Sequence, residues 1–352
     1  MTPREIVLAQ IRHRETTPVP FTLGFEGDVA DRLDAHYGGK SWRDRLTPYI
    51  VRCGGIPTMD KEPLSGTGVP PVLHGRDAHA TYGRDKFGTL WRLDLRPFHL
   101  EVPAMQQPSF DGYAFPTADV FLAPGLKETV EQAKREHPGS FTLVNVPWGL
   151  WEHCWAIRGF ENALMDCIAE PDFFEELLDR LTNLFLAHVA QCAAVPTDAI
   201  MFGDDWGDQR GVTVGPDRWR KFFKPRYAKI YDAVRAQGKL IISHCCGSVC
   251  DIMPDIIEIG LNVLESCQPE ARGMNPYELK KRWGDKITFW GCLGSQSTIP
   301  FGTPADIRGE VRHLCKEMGR GGGFILAPAK SLQPETPTEN AAAVVEAFTR
   351  QD

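Results

Sequence analysis

The sequence lacks several features that define common classes of protein. No stretch of its 352 residues approaches the roughly 18 consecutive apolar residues that span a bilayer. Neither acidic nor basic residues form a long run, and 46 Asp and Glu against 39 Lys and Arg give a formal net charge of −7. This balance disfavours binding to nucleic acid or to an anionic membrane surface. The first residues, MTPREIVLAQIRHRE, carry charges where a signal peptide needs an apolar run, so we expect a cytoplasmic protein.

Sequence signatures of nucleotide binding are missing as well. Neither a Gly-x-Gly-x-x-Gly pattern nor a phosphate-binding loop follows any of the predicted strands. The glycine-rich run at 319–323 precedes a strand, so we expect it to end a helix rather than to bind phosphate. The 10 cysteines are spread from Cys53 to Cys315, and reduced thiols are the better interpretation in a chain that is not exported.

Short apolar runs alternate with helical patterns along the second half of the chain. Six such runs predict strands, at 141–149, 199–207, 239–247, 262–268, 287–294 and 322–330. This alternation is typical of parallel strands joined by helices. With two strands upstream, one of them at 18–24, the pattern predicts an α/β fold of the (β/α)8 TIM-barrel type, and a doubly wound open sheet is the alternative. We expect one domain over 1–352, with an irregular insertion at about 54–124 in which residues 81–95 alternate like a β-hairpin.

Four consecutive predicted strands end in chemically capable residues, namely Asp204 and Asp205, His244 and Cys246, Glu265 and Cys267, and Cys292. Catalytic side chains of a barrel lie at this carboxyl end of the strands. His244 and Cys246 are two residues apart, so an extended backbone directs both to one face. Glu265 and Cys267 on the next strand could reach the same ion. Imidazole, thiolate and carboxylate ligands together favour Zn²⁺, although a strand-end cysteine is often only a small buried hydrophobe.

Further candidates come from the segments that follow two of these strands. Asp204 and Asp205 lead into a turn-rich loop that contains Gln209, and paired acids there could bind substrate, act as acid and base, or orient a metal ligand. Trp148 and Trp151 follow another strand and could line a flat pocket for a planar substrate. Packing in the core is the alternative for both indoles.

These residues belong to longer motifs that resemble the uroporphyrinogen decarboxylase superfamily, and its methyltransferase-like branch more than the decarboxylase itself. The resemblance covers nearly the full length and is carried by MTPREIVLAQIRHRETTPVPF, RGFENALMD, GDDWGDQRG, HCCGSVCDIMPDIIEIG, QPEARGM and GGGFILAPAKSLQPETPTEN. True decarboxylases resemble one another in an Arg-rich early loop, where this chain reads FTLGFEGDVADRL. Acids at that position match a polycarboxylate substrate poorly.

The methyltransferase resemblance implies a zinc site formed by His244, Cys246 and Glu265. Ala329 and Lys330 stand where thiol-activating relatives place a further cysteine. Three protein ligands then leave an open position, as a catalytic zinc requires, unless Cys267 or Cys292 fills it. The implied fold is again the barrel.

The resemblance also implies a reaction, which is methyl transfer between a small donor or acceptor and a corrinoid (cobalamin) carried by a separate partner protein. An aryl methyl ether fits as donor, because zinc could act as a Lewis acid on the ether oxygen. Trp148 and Trp151 would then hold the ring, Gln209 and Lys330 would contact the substrate, and Asp204 or Asp205 would position it. Members of the superfamily often dimerise, so a homodimer is expected.

Three alternatives remain open at this stage. One is a metal-free decarboxylase or other lyase acting on a smaller carboxylic acid, with Asp204 or Asp205 stabilising a cationic intermediate. Another is a subunit without catalysis that handles a metal or a corrinoid. The third is methyl transfer to a thiol acceptor, against which the substitution of the last-strand cysteine counts.

Overall fold

The computed structural model describes residues 1–55, 62–63, 81–95 and 97–351. Its strands are β1 (Ile50–Gly55), β2 (Glu62–Pro63), β3 (Tyr82–Arg84), β4 (Leu90–Arg92), β5 (His99–Val102), β6 (Phe141–Val146), β7 (Ala199–Gly203), β8 (Leu240–Cys245), β9 (Val263–Ser266), β10 (Thr288–Leu293) and β11 (Phe324–Pro328). Its helices are α1 (Pro3–Ile11), α2 (Val29–His36), α3 (Leu126–Glu136), α4 (Leu150–Arg158), α5 (Phe160–Ala169), α6 (Pro171–Cys192), α7 (Pro216–Arg218), α8 (Lys224–Arg235), α9 (Met253–Glu258), α10 (Pro276–Trp283), α11 (Thr298–Phe301), α12 (Pro304–Gly319) and α13 (Thr338–Arg350).

Seven strands form one parallel sheet in the order β1, β6, β7, β8, β9, β10, β11. Each of the six strand runs predicted for the second half lies in this sheet. Strands such as β7 and β11 are buried at every residue. Helices cover the outer face of the sheet, and the inner face lies in the interior of the curled sheet. The prediction of an α/β fold with parallel strands is therefore confirmed, and the curled sheet is consistent with a TIM-barrel-like fold.

The first predicted strand, at 18–24, is reduced to an isolated pairing. Phe21 pairs with Leu326 of β11, and the ring of Phe21 lies 5.3 Å from that of Tyr49, just before β1. Pro18 and Pro20 lack the N–H donors that a strand with two neighbours needs. The segment thus lies between β11 and β1. Within the described residues, the expected count of eight regular strands is corrected to seven strands and one bridge-paired segment.

A second, smaller sheet occupies part of the predicted insertion. Its four antiparallel strands run in the order β2, β3, β4, β5. The hairpin predicted at 81–95 is confirmed, since Tyr82 pairs with Arg92 and Arg84 pairs with Leu90. Residues 56–61 and 64–80 of the predicted insertion lie outside the described residues.

The helices pack around the large sheet, with local signals that fix their ends. Thr303 and Asp306 form a reciprocal capping box at the start of α12, and the Asn275 side chain accepts two backbone N–H groups at the start of α10. The 22 residues of α6 bury an apolar face against the barrel. Within the described ranges, no helix is both long and apolar enough to cross a membrane.

Candidate active site

A cavity of about 680 Å³ opens at the carboxyl ends of the parallel strands. This size suits a small organic ligand. The lining residues come from the 22–24 segment, from β1, β8, β9, β10 and β11, and from the loops after β7, β8 and β11. They are Thr22, Leu23, Gly24, Ile50, Arg52, Asp205, His244, Cys246, Glu265, Trp290, Ala327, Pro328, Ala329, Lys330 and Ser331. The cavity is thus where a barrel enzyme has its active site.

The register of the sheet sets three of these side chains side by side. His244 of β8 is paired with Glu265 of β9, and Glu265 is paired with Trp290 of β10. Residues in register on neighbouring parallel strands point to the same face. The predicted approach of Glu265 to His244 is therefore present in the structure.

The two ring nitrogens of His244 face different carboxylates. Nδ1 contacts Glu265 Oε2 directly, and Nε2 lies 3.6 Å from Asp205 Oδ1. Glu265 is nearly buried, with 13% of its side chain exposed, while 41% of the Asp205 side chain is exposed to the cavity. A carboxylate on one nitrogen fixes the ring and leaves the other nitrogen available to a metal.

Cys246 completes a compact cluster with Asp205 and His244. The Cys246 backbone N–H donates to Asp205 Oδ1 over 3.1 Å, and its thiol lies 3.3 Å from the same oxygen. One donor atom from each of Asp205, His244 and Cys246 lies within 4.8 Å of the other two. Imidazole, thiolate and carboxylate are a donor set that suits Zn²⁺, so the residues present fit this ion.

The acid–base state of the cluster is set by the pair His244 and Glu265. Burial disfavours the imidazolium, but Glu265 first, then Cys246 and Asp205, raise the pKa of His244 well above its ordinary value. Burial would raise the pKa of Glu265, yet His244 and then Arg52 bring that pKa below its ordinary value. In the metal-free protein, His244 therefore carries a proton that a metal has to displace.

Asp204 lies outside the cavity, although it neighbours Asp205 in the sequence. It is fully buried, and its carboxylate accepts hydrogen bonds from the backbone N–H groups of Trp151 and Glu152, both at 3.1 Å, from Trp206 Nε1 at 2.8 Å and from the Tyr227 hydroxyl. Burial raises the pKa of Asp204, and these donors oppose that shift. Asp204 thus links the start of α4 to the end of β7. Of the two acids predicted to act in one site, Asp204 has a structural role and Asp205 faces the cavity.

The two tryptophans predicted to hold a planar substrate pack against other rings. Trp151 is buried, and its ring centroid lies 5.8 Å from that of Phe160 and 6.3 Å from that of Phe223. The Trp148 ring lies 4.8 Å from Trp155 and 5.9 Å from Trp91 of the small sheet. Neither indole is among the residues that line the cavity.

The other predicted substrate contacts differ in placement. Lys330 follows β11 and lines the cavity, whereas Gln209 is exposed in the loop after β7 and is not one of the lining residues. The backbone carbonyl of Gln209 accepts the N–H of Arg272 over 3.0 Å. The structure thus brings Lys330, but not Gln209, to the cavity that holds the cluster.

The remaining cysteine candidates lie in the core rather than at the cavity surface. Cys267 and Cys292 are buried, and neither lines the cavity. Strand β9 ends at Ser266, and Cys267 takes a φ of 47°, so the alternation that would set Cys267 beside Glu265 does not continue. Cys267 donates instead to the Leu264 carbonyl over 3.3 Å, and among the described residues its thiol belongs to no cluster of potential metal ligands.

Two charged residues near the site had no signal in the sequence. Arg52 is an isolated cation in β1, and only the inward alternation of β1 could have pointed to it. Glu152 is the third residue of α4, a position where an acidic residue usually indicates a helix cap. Burial, together with the charges of Asp204 and Asp205, raises the pKa of Glu152 well above its ordinary value.

Comparisons with known proteins show the family to which the chain belongs. The family model described as Uroporphyrinogen decarboxylase (URO-D) matches residues 100–351. The chain is 28% identical over 180 residues to the methylcobamide:CoM methyltransferase MtaA of Methanosarcina barkeri, a match that covers 51% of this chain and 50% of that protein. It is 25% identical over 256 residues to the uroporphyrinogen decarboxylase of Coxiella burnetii, over 70% of this chain and 64% of the relative. The chain thus spans about half the length of the methyltransferase relative.

A solved structure agrees in fold. A methyltransferase from Methanosarcina mazei aligns with a TM-score of 0.68 at 19% identity, over 99% of this chain and 98% of that chain. At such an identity the likeness concerns the fold, and it matches the architecture of the sheet described above. The family match covers most of the chain and both elements that carry His244 and Glu265. The chain therefore belongs to the uroporphyrinogen decarboxylase (URO-D) family.

Proposed function

We propose that this protein is a zinc-dependent methyltransferase that moves a methyl group between a small donor, an aryl methyl ether, and a corrinoid carried by a separate protein. The observation that carries the proposal is the cluster of Asp205, His244 and Cys246 at the carboxyl end of the sheet. The similarity to a methylcobamide:CoM methyltransferase supports the reaction class.

Within this proposal the zinc ligands are Asp205, His244 and Cys246, with Glu265 as the carboxylate that orients the imidazole. This differs from the ligand set that the sequence suggested, because Glu265 contacts Nδ1 of His244 while Asp205 lies next to Cys246. Three protein ligands leave the position that a substrate atom occupies at a catalytic zinc. Zinc would supply Lewis acidity to the ether oxygen as the phenolate departs.

The chain's own residues bind and orient the donor. Leu23, Ile50 and Trp290 give the cavity apolar surface for an aromatic ring, and they replace Trp148 and Trp151 in that role. Asp205 lies at the metal cluster, and Asp204 holds the start of α4 in place beneath it. The corrinoid, which supplies the nucleophile for the methyl group, would approach with its carrier protein over the open end of the barrel.

The direct test is methyl transfer with free cob(I)alamin as acceptor and a panel of methoxyarenes as donors. We expect a phenol and methylated corrinoid in equal amounts with zinc-loaded protein, and none after zinc removal by a chelator. Restored turnover on adding zinc back is the control. The same preparation examined by sedimentation tests the expected homodimer. Failure of every donor to react with the zinc-loaded protein would contradict the proposal.

A lyase acting on a small carboxylic acid is the second candidate. Arg52 and Lys330 line the cavity and could bind carboxylates, and the similarity to a uroporphyrinogen decarboxylase favours this class as well. A lyase of this kind needs no metal. Release of carbon dioxide from a panel of carboxylic acids, at the same rate with and without chelator, would favour it over methyl transfer.

A further inference from the structure

Two cations line the cavity from the elements opposite the metal cluster. Arg52 extends from β1, and Lys330 follows β11, while the cluster is held by β8 and by the loops after β7 and β8. Ile50 and Arg52 are two residues apart in one strand, so both face the cavity. We call the part of the cavity with Asp205, His244, Cys246 and Glu265 the metal-binding end and the part with Arg52 and Lys330 the basic end, and the two parts meet at the Arg52–Glu265 ion pair.

The guanidinium of Arg52 has donor capacity that the protein does not use. It offers five N–H groups in a planar fork. Its ion pair with Glu265 is long, at 3.5 Å, and its other described contact is with the Trp290 ring, whose centroid lies 5.4 Å away. Arg52 lines the cavity and 48% of its side chain is exposed, so part of the fork is open to a ligand.

The two acids of the cavity are already engaged on the metal-binding side. Glu265 contacts His244, and Asp205 accepts from the Cys246 backbone N–H over 3.1 Å. Lys330 is exposed, and no carboxylate in the described ranges forms an ion pair with it. Since charge complementarity governs which ligand a site selects, the basic end favours an anionic group.

We propose that Arg52 is the residue that determines substrate specificity, and that it binds the carboxylate of an acidic substrate with help from Lys330. The inference rests on the proposed function and narrows its donors to methoxyarenes that carry a carboxylate, such as 4-methoxybenzoate. Arginine pairs with a carboxylate through two parallel hydrogen bonds, a geometry that lysine cannot reproduce. A ring held in this way would direct its methoxy group away from Arg52, toward the cluster of Asp205, His244 and Cys246.

The test is binding, measured by calorimetry on the zinc-loaded protein, of 4-methoxybenzoate and of the neutral analogue 4-methoxybenzamide. We expect the acid to bind about 10-fold or more tightly than the amide, as a charged hydrogen-bonded pair predicts. Arg52→Gln should abolish that difference in affinity by weakening the binding of the acid alone. Arg52→Lys should retain only part of the difference. Arg308→Gln, which changes an exposed arginine of α12 outside the cavity, is the matched control.

Several outcomes overturn the inference. One is that the wild type binds acid and amide with equal affinity, and another is that it shows no detectable binding of the acid. A third is that Arg52→Gln lowers the affinity for acid and amide by the same factor. Zinc content and a thermal unfolding curve show whether Arg52→Gln remains folded and loaded, and Lys330→Gln gives an independent test if it does not. Methyl transfer from neutral methoxyarenes as fast as from acids would leave the proposed function standing while refuting the role of Arg52. Selective binding of the acid without methyl transfer would support the role of Arg52 while refuting the proposed function.

Discussion

The two ends of the cavity differ in how fully their polar groups are used. At the metal-binding end, Asp205, His244, Cys246 and Glu265 contact one another, and Glu265 also forms the long ion pair with Arg52. At the basic end, Arg52 has one long ion pair, and Lys330 is exposed beside it. Side chains that already contact one another are suited to hold a resident metal ion. Hydrogen-bond donors without a close protein partner are suited to bind a substrate that exchanges with solvent. The difference assigns the metal to one end and the substrate to the other.

The largest effect should follow removal of a metal ligand. We expect His244→Ala and Cys246→Ala to lower zinc content from about one ion per chain to near zero, because two protein ligands do not retain zinc against buffer. Methyl transfer should fall below detection in both variants. Elemental analysis of the purified proteins is the measurement, and Cys315→Ala, in α12 away from the cluster, should keep its zinc.

The neighbouring acids offer a sharper contrast. Asp204→Asn should lower the free energy of unfolding by about 2–4 kcal/mol, because the amide keeps only one acceptor oxygen and sets an NH2 donor against some of the four donors that meet at the buried carboxylate. Asp205→Asn, at a half-exposed position, should change the free energy of unfolding by less than about 1 kcal/mol and should weaken zinc binding instead. Urea unfolding of the metal-free proteins measures the first effect, and zinc titration measures the second. The same loss of stability in both variants would contradict the division of roles.

A smaller effect is expected from the carboxylate behind the histidine. Glu265→Gln should weaken zinc binding about 10- to 100-fold, the usual result of altering a group that orients a metal ligand. Competition with a chromophoric chelator gives the affinity, and Glu335→Gln, at an exposed position after β11, is a matched control. A variant without zinc at any concentration would instead make Glu265 a direct ligand.

The pH dependence of zinc binding tests the charge state of the cluster. The pKa of His244 is raised in the metal-free protein, so zinc competes with a proton for Nε2 and its apparent affinity must rise as pH rises through that pKa. Calorimetry in two buffers of different ionisation enthalpy should show release of about one to two protons per zinc near neutral pH. Glu265→Gln removes the carboxylate that most raises the pKa of His244 and should reduce this release. If Glu265→Gln releases as many protons per zinc as the wild type, Glu265 does not raise the pKa of His244.

The parallel strands, and the strand ends that carry the candidate site, could be predicted because they depend on local patterns. The apolar runs at 199–207 and 239–247 are long enough to indicate buried strands, and a barrel places its chemistry at their carboxyl ends. His244 and Cys246 line the cavity together, as a spacing of two residues predicts. The apolar pattern at 18–24 predicts a regular strand, but Pro18 and Pro20 lack N–H donors and the segment forms only a bridge with β11.

The partners of each side chain could not be predicted, because they depend on tertiary contacts. Asp204 and Asp205 are adjacent in the chain, yet one accepts four hydrogen bonds in the core and the other faces the cavity. Cys267 was expected beside Glu265, but the left-handed backbone at Cys267 ends the alternation. Arg52 belongs to no motif, and only the curvature of the sheet brings it to the cavity.

The most direct test of the central claim is X-ray absorption spectroscopy at the zinc edge of protein purified without added metal. We expect about one zinc per chain, with a single sulfur ligand near 2.3 Å and nitrogen or oxygen ligands near 2.0–2.2 Å. This result would assign Cys246 as the sole thiolate. Absence of zinc, or two sulfur ligands from a further cysteine such as Cys267 or Cys292, would contradict the cluster of Asp205, His244 and Cys246 as the metal site.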